Sequence, residues 1–338
     1  MRRRPAATPD RDGRVKRATP ASGVATHVAH GDLRVTMLTG SEARATLASD
    51  AFRAAWCTLQ RACPWATVFQ GPAFGDAWWQ VYDERYDPLL LLGDRDDGTL
   101  RGLLMLARDR KSGEVLHVGT HHAEYHAWLA HSGDSDAFML GAMRLLHQHR
   151  VCRALRFMYL APGTPIGWTR LLSAWIAPGV IVHSHLRGLR DLDPAQPENQ
   201  SLRKKGTRSK LQRLAREGPV EFQVLDSVAA LRRWMPQIRQ QCDHRHGGHL
   251  GVGPFGKDPR KERLFERFVE TPGLMHVSVL TRGDRLLASH LGLIDGRSVS
   301  LGLFTHDPDE HANSPGKLLL DLLAQRLAAD RFALMDMT

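Results

Sequence analysis

The sequence predicts an α/β fold made of two units, each a mixed, mostly antiparallel sheet flanked by helices. Three observations lead there. The chain has 338 residues, more than one average domain holds and enough for two. Both halves show the same order: helical periodicity, a meander of short apolar runs, a helix, then a strand. Between them, residues 191–200 carry two prolines and little apolar content, which marks a linker.

The elements follow in order. A strand is expected at 33–38 and a helix through 43–59. Residues 70–82 read as a second helix, with Phe74, Trp78 and Val81 on one face. Apolar runs at 88–92, 100–107 and 115–118 suit buried strands, and the turn-like spacers 94–99 and 109–113 make them an antiparallel meander. A strand at 125–130, a helix at 135–149, a strand at 154–160, a short helix at 168–176 and a run at 180–186 close the first unit. The second unit opens with a basic helix at 201–217. A strand at 220–225 and helices at 228–244 and 261–271 come next. Strands are expected at 274–281, 285–294 and 297–305, then a helix from Ser314 to about 330 and a last strand from Phe332. The resulting division is a disordered basic leader at 1–30 and units at 31–190 and 200–338.

The formal charge of +10 resembles a nucleic-acid signal until it is located. Residues 1–17 hold seven Arg and Lys against two Asp, and residues 199–217 hold seven against one Glu. The rest of the chain is close to neutral, so the charge is local. The four cysteines, Cys57, Cys63, Cys152 and Cys242, show no paired spacing, which points to a reducing cytoplasm. No apolar run reaches the ~20 residues that span a bilayer, and the basic start lacks the apolar segment of a secretory signal.

One tetrapeptide stands out: Ser314-Pro315-Gly316-Lys317, followed by Leu318-Leu319-Leu320. Serine is a favoured N-cap, proline fits the first helical position, and glycine admits close approach to the backbone. Such an open helix start presents free N–H groups and the positive dipole end to a phosphate, with Lys317 adding a charge. A well-capped ordinary helix is the equally simple reading of these four residues.

The order of motifs resembles a family. Arg203-Lys204-Lys205-Gly206 through Arg216-Glu217-Gly218 is similar to a basic helix ending in Glu-Gly. Gly283-Asp284-Arg285-Leu286-Leu287-Ala288 is similar to its hairpin, and Asp307-Pro308 with Asn313-Ser314-Pro315-Gly316-Lys317-Leu318-Leu319-Leu320 to its helix start. Phe69-Gln70-Gly71-Pro72 and Trp78 look like its opening motif. Over residues 32–338 the chain resembles the FemAB-like branch of the GNAT superfamily, in particular bacterial acetyltransferases linked to polysaccharide biosynthesis. The resemblance implies tandem GNAT-like domains, the first degenerate. It also implies transfer of an acyl group, acetyl by expectation, from acyl-CoA to an amine or hydroxyl of a sugar or cell-envelope precursor. Three alternatives stay open: transfer from aminoacyl-tRNA, a non-catalytic scaffold and, third, a nucleic-acid-binding module. FemAB proteins carry a long coiled-coil arm and no such heptad run exists here, which favours acyl-CoA. The family continues beyond Met335-Asp336-Met337-Thr338 into an acidic segment, so a further strand and acceptor-site groups are expected past Thr338.

The resemblance assigns the donor phosphates to Ser314, Pro315, Gly316 and Lys317. Arg203 and Lys204 of the basic helix are candidates for the same role, against the alternative of a solvated charged face. Acyl transfer needs a proton acceptor and a donor for the thioester oxygen. His290, His306 and Asp307 are the candidate bases. Asp307 also suits a plain Asp-Pro turn, and His290 a core position. No metal is expected. The run Cys242-Asp243-His244-Arg245-His246-Gly247-Gly248-His249 lacks a distant partner pair and reads as a loop lining the acceptor cleft. His121 and His122 would face opposite sides of a strand and read as incidental.

Overall fold

A computed structural model describes residues 26–30, 32–172, 181–183, 185, 187–250 and 253–338, with the backbone alone at 26, 29, 30, 197, 198 and 246–250. The first sheet contains β1 (Thr26–His30), β2 (Leu33–Thr39), β3 (Tyr86–Arg95), β4 (Leu100–Asp109) and β5 (Val115–His117) in that spatial order. All pairs are antiparallel, and β6 (Leu129–Ala130) also lies on β4. β3 and β4 are apolar without alternation because both of their faces are covered. The helices are α1 (Gly40–Leu47), α2 (Asp50–Ala62), α3 (Pro72–Tyr82), α4 (Ser135–Gln148) and α5 (Trp168–Leu172).

Several expectations change here. The helix expected at 43–59 is two helices, because the Ser49 hydroxyl accepts from Phe52 N–H at 3.3 Å and starts α2 afresh. The strand at 125–130 shrinks to β6. Residues 154–160 form no strand and meet the fold through bonds such as His126 N–H to Met158 O; a two-residue β6 offers them no edge. α5 ends at Leu172, and residues 173–180 and most of the run expected at 180–186 lie outside the described residues. The leader ends earlier than expected. Thr26–His30 pairs along its whole length with β2, while residues 1–25 lie outside the described residues.

The second sheet is built from β7 (Leu189–Asp191), β8 (Val220–Leu225), β9 (Met275–Arg282), β10 (Arg285–Asp295), β11 (Ser298–Ser300), β12 (Leu303–His306) and β13 (Leu334–Asp336). Its spatial order is β7-β13-β11-β10-β9-β8, with β12 also on β10. Only the β11–β13 ladder is parallel. Its helices are α6 (Lys205–Ala215), α7 (Val228–Leu250), α8 (Pro254–Lys257), α9 (Arg260–Glu270) and α10 (Pro315–Ala329). Of the linker expected at 191–200, Asp191 joins this sheet as the last residue of β7. β7 pairs antiparallel with β13, and Asn199 clamps the turn after β7 by donating to Asp191 O and Asp193 O while accepting from Arg190. Residues 242–250, expected as a loop, continue α7.

The two halves share one apolar core. A single buried cluster runs from Leu33 to Leu293 through both sheets. At the seam α3 packs on α9, with the Phe74 and Phe268 rings stacked 5.4 Å apart and both buried. Each such ring contributes roughly 1.5–3 kcal/mol by its removal from water. The second sheet has a further cluster, in which Leu214 of α6 meets Leu318 and Leu319 of α10 above Leu280 and Leu287. Lys210 of α6 reaches Ser314, and Lys317 of α10 reaches Ser201 just ahead of α6, so the two helix starts lie side by side.

Candidate active site

β11 and β12 are one strand broken at Leu301–Gly302. Gly302 has φ +51°, and a Cβ there would collide with Leu291 O; a Cβ at Gly292 would collide with Ser300 O. The two glycines let β10 and the broken strand cross closely. On one side of the break β11 pairs with β13. On the other side β12 pairs with β10 alone. The sheet therefore opens as a wedge between β12 and β13.

Past β12 the chain turns through Pro308–Asn313 into α10. Asp307 fixes this turn: Oδ2 accepts from Arg285 Nε at 2.7 Å and Oδ1 from Asp309 N–H at 3.0 Å. With both oxygens engaged it is a turn anchor, the plainer of its two sequence readings. The buried Glu310 accepts from Arg282, and these contacts hold its carboxyl below the usual range although burial opposes them. Ser314 departs from the expected cap. Its backbone is left-handed, φ 51° and ψ 55°, and its side chain caps nothing. The hydroxyl instead accepts from Lys210 Nζ at 2.8 Å. Pro315 and Gly316 are buried in the first turn of α10, and a Cβ at Gly316 would press on Phe304 at 3.2 Å and His306 Cβ at 3.5 Å. Lys317 donates to Ser201 Oγ at 2.9 Å and Asp321 Oδ2 at 3.0 Å.

These groups face a cavity of about 370 Å³ lined by Lys204, Gly206, Thr207, Lys210, Ser314, Lys317 and Leu318. Two helix starts, those of α6 and α10, open onto it with three lysines, one of which, Lys317, also binds the Asp321 carboxylate. Of the six residues expected at the donor phosphates, Lys204, Ser314 and Lys317 line it, whereas Pro315, Gly316 and Arg203 are not in its lining. Lys210 was missed, although Thr207, Lys210 and Leu214 share one helical face and so point where Leu214 packs. A cavity of similar size, about 380 Å³, lies at the far end of α10 among Asp191, Asp193, Arg297 and Arg331. Its charges cancel, and it sits at a helix end rather than a start.

His290 lies wholly buried in β10, its Nε2 2.9 Å from Ser300 O, and burial lowers its pKa to about 3. It stitches the strand break and has no path to an acceptor. His306 is half-buried at the start of α10, held below its ordinary pKa by burial and by Arg245 against the opposing Asp307. The three expected bases are thus a core histidine, a histidine beside the start of α10 and a turn anchor.

The group beside the strand break comes from the first half. Glu124 lies beside the break, where the Gly302 N–H and the Ser300 hydroxyl favour its charged form, and its Oε2 is buried without a partner. Burial, then the neighbouring Asp336, push its pKa up to about 7. Next to it Tyr125 OH donates to Asp336 Oδ2 at 2.7 Å, and Arg187 binds the same oxygen at 2.7 Å. No sequence pattern flags Glu124, since only the packing of the halves brings residue 124 to residue 302.

Residues 201–338 match the family model described as an acetyltransferase (GNAT) domain. The second half is a GNAT domain. Most of the chain, across both halves, also superposes on solved structures. FemX is 9% identical over 84% of this chain and 86% of that one, with a TM-score of 0.55. A conserved protein of unknown function from Bacteroides thetaiotaomicron VPI-5482 is 12% identical over 86% and 88%, with a TM-score of 0.50. A tandem GNAT protein from the clavulanic acid biosynthesis pathway is 13% identical over 89% of both chains, with a TM-score of 0.47. At these identities the likeness is one of fold. No curated protein matches the chain. The α/β architecture expected from the sequence stands, the GNAT resemblance holds for residues 201–338, and the likeness to FemX is one of fold. Among the described residues no helix is long and apolar enough to cross a membrane.

Proposed function

We propose that this GNAT-fold acyltransferase takes its acyl group from acyl-CoA and passes it to an amine or hydroxyl of a sugar or cell-envelope precursor. The observation that carries the reading is the lysine-lined cavity where α6 and α10 begin. Convergent amides, two dipole ends and compact ammonium groups suit a pyrophosphate. From the α10 start, β12 runs back to the strand break over four residues, roughly 13 Å of extended chain. The donor's phosphates would sit at one end of β12 and its thioester at the other, in the wedge. There Glu124 takes the proton from the attacking amine or hydroxyl. Gly302 N–H, beside Glu124 at the break, polarises the thioester oxygen while the C–S bond breaks and the CoA thiolate leaves.

Calorimetry with acetyl-CoA tests the donor site. Lys210→Ala with Lys317→Ala is expected to weaken binding at least tenfold at low salt, and by less as salt rises, because screening already weakens such contacts. Unchanged affinity in the double variant sinks the site. Aminoacyl-tRNA remains the second reading because the fold also matches FemX. Tight, salt-steep binding of bulk tRNA that the same variant abolishes would favour it.

A further inference from the structure

Away from the wedge, the seam between the halves gathers a second set of side chains. His121 and His122 do not lie in a strand. They occupy a 3₁₀ turn, Thr120–His122, which comes after Gly119 at φ 91°, and their ring centroids are 3.9 Å apart. Asp258, which precedes α9 in the other half, faces them. One ligand atom each from His121, His122 and Asp258 lies within 4.8 Å of the others. His122 and Asp258 side chains are only 3% and 6% exposed, whereas His121 reaches solvent. Tyr82 backs the group, its hydroxyl 2.6 Å from Asp258 Oδ2 and 3.2 Å from His122 Nε2.

We propose that His121, His122 and Asp258 form a zinc-class metal site that clamps the two halves together. Two imidazoles and a carboxylate are a usual donor set for Zn²⁺ with one position left open. At metal–ligand distances of about 2.0–2.2 Å, tetrahedral donors lie about 3.3 Å apart, so the set closes by at most about 1.5 Å. Both rings are disposed to be neutral, as ligation requires: burial is the main cause in each case. Tyr82 holds the carboxylate in orientation, the part that outer partners play around bound metals. The opposing groups are Lys261 and, more weakly, Arg85, whose fields reach both rings. Burial lowers the pKa of Lys261, so the incoming ion meets a lysine that gives up its proton more readily.

The clamp differs from the acyl-transfer site in place and in test. Full-length protein, freed of metal by chelation, is titrated with Zn²⁺ alone by calorimetry and by thermal melting, with Co²⁺ absorption as a geometric readout. Wild type is expected to bind one equivalent at this site and to melt several degrees higher when loaded. His121→Gln alters an exposed side chain and should leave the metal-free melting temperature in place. It should weaken Zn²⁺ by about 100-fold or more, since losing an outer partner alone costs 10–100-fold. Lys261→Met should tighten it. Absence of saturable Zn²⁺ binding in wild type, or the same affinity and melting rise in His121→Gln, overturns the site whatever the donor assay shows.

Discussion

At the scale of single residues, Glu124 makes the sharpest claim. Its carboxyl is held protonated to about pH 7, first by burial and then by Asp336. A base with that value works once it has lost its proton, so the acyl-transfer rate should rise as pH passes through about 7. Stability runs the other way. The folded pKa lies above the ordinary 4.5, so the group's contribution is fully present below about 4.5 and is lost as pH climbs to about 7. Glu124→Gln should therefore abolish most activity yet melt higher than wild type at pH 8, with the two proteins alike at pH 4.5. Matched rate and melting profiles across pH check both halves of this expectation. A variant that loses stability at pH 8 would mean the carboxylate is held by partners rather than strained by burial. The histidines mark the limits of reading residue types. His290 is a strong catalytic candidate by type and mid-strand position, but burial turns it into a hydrogen-bond stitch under Ser300.

At the scale of elements, the start of α10 is placed by a buried ion pair as much as by its leucines. Arg282 is 7% exposed and joins Glu310, which is 10% exposed, as well as the exposed Glu217. Removing one partner of a buried pair costs about 3–5 kcal/mol. Glu217 remains in Glu310→Ala, so the low end, about 3 kcal/mol, is expected from urea unfolding. Acetyl-CoA binding should also weaken, because Glu310 accepts from Asn313 next to Ser314. A loss below about 0.5 kcal/mol would show that the turn stands without the pair. The sequence located this element closely: proline at the first helical position and a leucine run define α10 without any tertiary help. What it misassigned was the cap. Ser314 takes a left-handed backbone and gives its hydroxyl to Lys210, a residue 104 positions away in sequence. Likewise the strand read as 297–305 is continuous in hydropathy, and only the collision awaiting any Cβ at Gly302 explains why it breaks into β11 and β12.

For the whole molecule, the shared core predicts that the halves do not melt separately. Phe268→Ala should cost about 3–5 kcal/mol, and the chain should still unfold in one transition seen alike by fluorescence and far-UV circular dichroism. Two resolved transitions would instead make the halves independent folding units. The sequence by itself determined the fold class, the order of most helices and strands, the position of the GNAT half and the lysine-rich helix start. Those come from periodicity, turn residues and local charge, which act over a few neighbouring residues. Tertiary structure alone decided the rest. Asp191 and its neighbours look like a linker but add a strand to β13, because β13 presents an open edge that no local pattern records. Glu124 meets Gly302, and His121 and His122 meet Asp258, across stretches of well over a hundred residues. Burial at those meetings sets their protonation, and burial belongs to the packed chain rather than to any segment of it.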